Sequence, residues 1–135
     1  MKLVVDSNII ISALMRDSTS RKIINHFSGQ LLIIPFLESE IHKYKELVMK
    51  KANISEDEFD LLLQKLYRKM VILDNSVVLS KMVEAADIMD QIDPDDTHFI
   101  AAALATNSDI WSDDKHFEKQ DAVKVWKTQD LFERL

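Results

Sequence analysis

The chain has no cysteine and a single glycine, Gly29, among its 135 residues. Without thiols it has no disulfide, no cysteine nucleophile and no thiolate zinc site. One glycine is too few for a Gly-rich phosphate loop, a dinucleotide-binding fingerprint or the nucleophile elbow of hydrolases. It also disfavours tight hairpins, whose turns usually contain glycine. Several common ways of binding phosphate or activating a nucleophile are therefore excluded.

Long apolar runs are also missing. No segment reaches the roughly 18 apolar residues of a membrane span. The apolar N-terminus is interrupted by Asp6, Ser7 and Asn8 and has no small-residue cleavage site, so it does not resemble a signal peptide. The length fits one domain that is large enough to bury a core. We therefore expect a single domain over residues 1–135, in a cytoplasmic protein with no membrane partner.

Basic residues are scarce in the second half of the chain. The formal net charge is −6, the opposite sign to most proteins that simply coat nucleic acid. Residues 1–70 hold 11 basic and 9 acidic side chains, whereas residues 71–135 hold 6 and 14. No basic residue lies between Lys81 and Lys115, a segment with nine carboxylates. This asymmetry indicates either a solvated acidic face or a cation site.

Strands and helices are predicted to alternate along the chain, which is typical of a parallel sheet with helices on both faces. Gly29 is expected at a helix C-terminus with a positive φ. The predicted strands are Lys2–Val5, Leu31–Ile34, Val71–Leu73, Asp109–Ser112 and Val123–Trp126. The predicted helices are Ile9–Leu14, Ser20–Phe27, Leu37–Lys51, a helix capped by Ser55 and running to Met70, Ser76–Met89, Asp95–Ala105 and Thr128–Arg134.

Carboxylates from four separate segments are predicted to meet at one edge of this sheet. In such sheets the ligand site lies at the carboxyl ends of the strands, where the strand order reverses. Two unit charges about 4 Å apart repel by about 4 kcal/mol at an effective dielectric near 20, so a cluster calls for protons or a cation. The carboxylates at this edge are Asp6, Glu38, Glu40, Asp95, Asp96, Asp113 and Asp114.

Oxygen-only ligands favour Mg²⁺ or Mn²⁺ over zinc. A hard divalent ion held by carboxylates is suited to phosphodiester chemistry. Each acid by itself also has a structural interpretation, since Asp6, Asp95 and Asp96 lie where helix caps and first turns prefer acids, and Asp113 and Asp114 suit a turn. The joint placement at one edge is what favours a metal site.

Four blocks of the sequence resemble the PIN domain, a family of metal-dependent nucleases. They are VVDSN from Val4 to Asn8, IIPFLESE from Ile33 to Glu40, DPDDTHFIAAAL from Asp93 to Leu104, and IWSDDKHF from Ile110 to Phe117. Each block is weak alone, but all four occur in the family's order and span nearly the whole chain. The resemblance implies a three-layer α/β/α sandwich around a parallel sheet of four or five strands.

Carried over to this chain, the resemblance assigns the acidic quartet to Asp6, Glu40, Asp96 and Asp114, as catalytic residues and metal ligands. Two alternatives stay open, since Glu38 could replace Glu40 and Asp95 could share the role of Asp96. The resemblance also implies polar residues that support the acids or orient the substrate. These are Ser7, Asn8, Asp95, Ser112 and Asp113.

The function implied by the resemblance is Mg²⁺- or Mn²⁺-dependent hydrolysis of RNA. Many small stand-alone PIN proteins are toxins of toxin–antitoxin pairs and form homodimers, so an antitoxin and a second copy are expected partners by analogy. One alternative is a non-catalytic or regulatory scaffold in RNA processing. Another is a phosphatase with Asp6 as nucleophile, which is disfavoured because Asn8 stands where that chemistry generally needs a second Asp.

The remaining polar and aromatic residues have mostly structural interpretations. His98 and His116 flank the acidic edge, and we interpret both as ordinary partly exposed histidines. Trp111 and Trp126 are predicted to pack in or beside the sheet rather than to stack on bases. The lysines on the helix that carries Glu40 fit either an RNA-steering patch or a solvated face: Lys43, Lys45, Lys50 and Lys51.

Overall fold

The structure, a computed structural model that describes all of residues 1–135, is built on a five-stranded parallel sheet. The strand order is β3-β2-β1-β4-β5, and every neighbouring pair is parallel. The predicted three-layer α/β/α class is confirmed, with five strands. The strands are β1 Lys2–Val5, β2 Gln30–Ile33, β3 Val71–Ile72, β4 Asp109–Trp111 and β5 Val125–Trp126.

Nine α-helices flank the sheet in two groups. Helices α1, α2, α3 and α9 form one contact network, which α4 and α5 extend from α3, and α6, α7 and α8 form another. No helix has the length and apolar character needed to cross a membrane. The helices are α1 Ser7–Ala13, α2 Thr19–His26, α3 Phe36–Lys43, α4 Lys45–Ala52, α5 Glu56–Tyr67, α6 Asn75–Leu79, α7 Met82–Met89, α8 Thr97–Thr106 and α9 Thr128–Phe132, with 3₁₀ turns at Pro94–Asp96 and Lys115–Lys119.

The centre of the core is β1, whose residues Leu3, Val4 and Val5 are fully buried. A strand covered on both faces reads as a continuous apolar run, which is why this segment was recognisable in the sequence. Helix α8 contacts both β1 and β4, and its Ala101–Ala103 run is buried. Small side chains let this helix lie close to the sheet, and its N-terminus is thereby brought to the ends of the two strands.

The strand order reverses between β1 and β4. The chain goes from β1 outward to β2 and β3, then returns to place β4 and β5 on the other side of β1. The backbone N–H of Asp6 donates to the carbonyl of Trp111 at 3.1 Å, so the ends of these two strands are directly joined. This is the reversal point at which open α/β sheets bind ligands.

Two long predicted helices are each divided in the structure. Helix Leu37–Lys51 is interrupted at Tyr44, and the two halves contact different neighbours, α3 packing against α1 and α4 against α5. Helix Ser76–Met89 breaks at Ser80, whose hydroxyl donates to the carbonyl of Val77. Such a local side-chain bond competes with helix continuation.

The predicted role of Gly29 is wrong. No glycine has a positive φ, and α2 ends at His26 with an extended C-cap residue, Phe27. Gly29 instead lies beside Met1, whose carbonyl accepts a 2.9 Å hydrogen bond from the backbone of Gln30. A Cβ at position 29 would collide with that carbonyl oxygen. Glycine is needed here for the close approach of two backbones.

Candidate functional site

A polar cleft of about 210 Å³ lies at the point where the strand order reverses. Five carboxylates from four segments line it. Asp6 follows β1, Glu40 is in α3, Asp95 and Asp96 are in the 3₁₀ turn before α8, and Asp114 follows β4. The tertiary structure therefore brings the four proposed quartet residues together.

Asp6 lies at the bottom of the cleft and is only 3% exposed. The hydroxyl of Ser112 donates to its Oδ2 at 2.6 Å, and the hydroxyl of Ser7 lies 3.4 Å from Oδ1. Burial raises the pKa of Asp6, the bond from Ser112 lowers it, and the nearby charge of Asp114 raises it further, with a net increase. The two hydroxyls thus fix the orientation of a carboxylate whose ionisation costs energy in the absence of a cation.

Asp96 is the most strongly perturbed group of the cleft. Burial, followed by the negative charges of Asp6, Asp93 and Asp114, raises the pKa of Asp96 from 3.8 to about 7. The residue is 9% exposed, and its Oδ2 has no hydrogen-bond partner. A buried oxygen without a partner is rare and costly, which points to a ligand that the protein itself does not supply.

Ser112 links the two strand ends that carry Asp6 and Asp114. While its hydroxyl donates to Asp6, its oxygen accepts a 3.0 Å bond from the backbone N–H of Asp114. The Oδ1 of Asp114 in turn accepts a 2.9 Å bond from the backbone N–H of His116. Ser112 is therefore placed to orient both acids, whereas the resemblance implied support only for the last acid, Asp114.

The structure separates Glu38 from Glu40. Glu40 lines the acidic cleft, whereas Glu38 lines a groove of about 380 Å³ between α3 and α5. In that groove, burial and the charge of Glu38 raise the pKa of Tyr67 to about 12. Asp95 and Asp96 both line the cleft, but Asp95 is exposed and Asp96 is buried.

Of the other predicted supporting residues, two line the cleft and one does not. Ser7 and Asn8 line the cleft at the start of α1. Asp113 does not line it, since its carboxylate accepts bonds of 2.7 Å from the backbone N–H and 2.6 Å from the hydroxyl of Thr128. Asp113 thus ties α9 to the end of β4.

Sequence reasoning missed the involvement of Asp93 and His116. The Nδ1 of His116 lies 2.9 Å from Asp93 Oδ2, 3.3 Å from Asp114 Oδ1 and 3.6 Å from Asp96 Oδ2, in approaches that are close but not aligned hydrogen bonds. No spacing rule joins positions so far apart in the chain, and only their shared sheet edge could have suggested it. His98, in contrast, stacks on Phe36 with ring centroids 5.1 Å apart.

The donor set fits a hard divalent cation. Several carboxylates converge, and one of them has a buried oxygen without a partner. Burial, and then the charges of neighbouring carboxylates, raise the pKa values of Asp6 and Asp96. A divalent ion would relieve this repulsion and satisfy the oxygen. Asp93, Asp96 and His116 also offer three ligand atoms within 4.8 Å of one another.

Fold and site together define an α/β protein with an acidic cleft at the reversal point of a parallel sheet. A sequence profile of the PIN domain matches residues 4–135, and the chain therefore belongs to the PIN-domain family. Among curated proteins, no sequence matches significantly.

Solved structures show the same fold. One chain in the crystal structure of VapBC2 from Rickettsia felis bound to a DNA fragment from their promoter superposes with a TM-score of 0.73 at 14% identity. The superposition covers 94% of this chain and 98% of that one. At this identity the likeness concerns the fold.

Proposed function

We propose that this protein is a Mg²⁺- or Mn²⁺-dependent endoribonuclease, formed by one nuclease domain over residues 1–135. The observation that carries the proposal is the convergence of Asp6, Glu40, Asp96 and Asp114, with the buried and unpartnered Oδ2 of Asp96 among them. PIN-family membership supports a nuclease. In this proposal the quartet holds the metal.

The chain's own residues would prepare the cleft for phosphodiester hydrolysis. Ser112 and Ser7 hold the carboxylate of Asp6 in one orientation, and Asn8 at the cleft wall offers an amide to substrate or water. Asp95 adds negative charge at the solvent side. A bound divalent ion supplies charge neutralisation at the phosphate and a more acidic water.

We also propose that the protein acts as the toxin of a toxin–antitoxin pair. Small stand-alone PIN domains commonly have this role, and the superposed Rickettsia felis chain comes from a VapBC2 structure. An antitoxin protein and a second copy of the chain, as a homodimer, are then the proposed partners, and RNA is the proposed substrate. Coexpression with the product of an adjacent reading frame, followed by copurification and loss of RNA cleavage, tests this role.

Cleavage assays on labelled RNA test the nuclease proposal directly. We expect Mg²⁺- or Mn²⁺-dependent cleavage that EDTA abolishes and that Asp6→Asn reduces by at least about 100-fold, as expected when a positioned metal is lost. Asp87→Asn is the matched control, since Asp87 is an exposed acid of α7 outside the cleft. Unchanged cleavage in both EDTA and Asp6→Asn would refute the proposal.

A second pair of variants assigns the acid of α3. We expect Glu40→Gln to abolish cleavage and Glu38→Gln to leave it nearly intact, because only Glu40 lines the cleft. RNA binding without turnover across metals would instead indicate a scaffold. A phosphorylated Asp6 would indicate the phosphatase alternative.

A further inference from the structure

Tyr44 is an exposed aromatic residue at the wall of the acidic cleft. It lies at the break between α3 and α4, where its N–H donates to the carbonyl of Ile41 and its carbonyl accepts from the N–H of Val48. Tyr44 is 41% exposed and lines the cleft. Its hydroxyl makes no hydrogen bond within the protein. An exposed aromatic side chain therefore lines the cleft with a hydroxyl that the protein itself does not engage.

The other aromatic rings at the cleft pack against rings of the protein itself. Phe36 stacks on His98, and Phe99 packs edge-on against Phe117. Outside the cleft, Trp111 is fully buried, and Lys124 and Arg134 lie over the ring of Trp126. Tyr44 is the aromatic residue at the cleft whose ring contacts neither another aromatic ring nor a cation.

Lys43, the neighbour of Tyr44, is the basic residue of the cleft wall. It forms no ion pair within 4.0 Å, although five carboxylates line the same cleft. Lys45, the first residue of α4, is instead paired with Asp60 at 3.1 Å and Glu56 at 3.7 Å. Of the lysines considered from the sequence for steering RNA, Lys43 is therefore the one that lines the cleft, and it does so without an ion pair.

We propose that Tyr44 stacks on an unpaired base of the substrate beside the bond to be cleaved, while Lys43 contacts the adjacent backbone phosphate. The inference rests on the proposed nuclease function and adds the residues that bind and position the strand. Aromatic rings accept any base by stacking, and a lysine contacts phosphate without reading sequence. A base within a duplex has both faces covered by its neighbours, so this arrangement selects single-stranded segments.

Binding is measured separately from cleavage. In an Asp6→Asn background with Mg²⁺, a short single-stranded RNA carrying 2-aminopurine at successive positions reports both affinity and stacking. We expect quenching at one position, which Tyr44→Phe preserves and Tyr44→Leu removes together with a roughly 5- to 100-fold loss of affinity. Phe132→Leu is the control, since Phe132 is a similarly exposed aromatic of α9, 47% exposed and outside the cleft.

Lys43→Met tests the phosphate contact. We expect the slope of log affinity against log salt to decrease by about 0.7, the value for one phosphate contact on a single strand. Lys50→Met, an exposed lysine of α4 that does not line the cleft, is expected to leave the slope unchanged. Thermal melting of every variant establishes that it is folded.

The outcomes separate this inference from the proposed function. If Tyr44→Leu and Lys43→Met bind as the Asp6→Asn parent does, the inference is overturned even if the wild type cleaves RNA. If both lose binding as expected but the wild type never cleaves RNA with any divalent metal, the strand-binding role stands and the nuclease proposal fails. Equal affinity for a duplex of the same sequence would contradict the stacking role of Tyr44.

Discussion

At the scale of single residues, the orientation of two acids in the cleft depends on the hydroxyl of Ser112. Ser112 satisfies an oxygen of the buried Asp6 and the backbone N–H of Asp114 at the same time. Both contacts are lost if the hydroxyl is removed, and the carboxylate oxygen then stays buried without a partner. A residue that is neither acidic nor metal-binding thus decides how two of the acids are oriented.

Ser112→Ala is expected to lower the free energy of unfolding by about 1–3 kcal/mol, because a buried acceptor loses its donor. Cleavage is expected to fall by roughly 10- to 100-fold, the usual effect of removing a group that orients a metal ligand. Denaturant unfolding and kinetics measure the two effects. Ser39→Ala, which removes an exposed hydroxyl bonded to the carbonyl of Phe36, is the control and should change neither.

Asp96 makes the stability of the metal-free protein depend on pH. Because its folded-state pKa is raised from 3.8 to about 7, the folded protein binds a proton more tightly than the unfolded chain. This contribution is fully present below about pH 4 and is lost as the pH rises through about 7. The shift corresponds to at most about 4 kcal/mol at 1.36 kcal/mol per pKa unit.

In EDTA, we expect Asp96→Asn to be more stable than the wild type at pH 8, with the difference shrinking as the pH is lowered to 5. Urea unfolding at several pH values measures this difference. Comparing the two proteins at each pH cancels the titration of acids elsewhere in the chain. A stability difference that is independent of pH would contradict the raised pKa.

At the scale of elements, the sheet edge is completed by a helix that is tied down from outside the cleft. Asp113 accepts bonds from the N–H and hydroxyl of Thr128 at the start of α9. The indole N–H of Trp111 donates to the same hydroxyl at 3.1 Å. Two adjacent acids, Asp113 and Asp114, therefore serve different parts of the structure.

Asp113→Ala is expected to destabilise the protein by about 1–2 kcal/mol. The carboxylate accepts from the first turn of α9, so its removal has the effect of removing an N-cap side chain. Asp114→Ala is expected to abolish cleavage with a smaller change in stability, because repulsion within the cleft is relieved at the same time. Thermal unfolding and RNA cleavage measure the two effects. The reverse pattern would mean that the roles of the neighbours are exchanged.

The order of the elements could be predicted from the sequence, but their lengths and breaks could not. The continuous apolar runs of β1 and β2 and the Asp93–Pro94 cap are local signals, and the structure has a strand at each run and a helical cap at Asp93. The cap opens a 3₁₀ turn rather than the predicted helix Asp95–Ala105, and α8 begins only at Thr97. The break at Tyr44 has no local signal in the sequence, and it separates two helices with different packing partners. Tyr44 itself lines the cleft.

At the scale of the whole molecule, the net charge of −6 is partly a property of the cleft. Repulsion among its carboxylates disfavours the folded state, and the proposed divalent cation would relieve it. A ligand that binds only the folded protein stabilises it by about 2.7 kcal/mol at 100 times its dissociation constant. Metal binding and folding should therefore be measurably coupled.

We expect saturating Mn²⁺ or Mg²⁺ to raise the melting temperature of the wild type by roughly 10 °C at pH 8, as this coupling implies for a chain of this size. Asp6→Asn should show a much smaller increase, because one ligand is lost. NaCl at the same ionic strength is the control for general screening of charges by salt. An equal increase in both proteins would place the cation elsewhere.

The sequence by itself determined the layered parallel fold and a set of acids from which the quartet could be chosen. Those properties follow from local causes: apolar runs, capping residues and the rule that parallel strands end at one edge. Only the tertiary structure separated Glu38 from Glu40, assigned Asp113 to α9 and brought His116 between three carboxylates. Such placements depend on how elements distant in the chain pack and turn, and a sequence does not encode that information in any short segment.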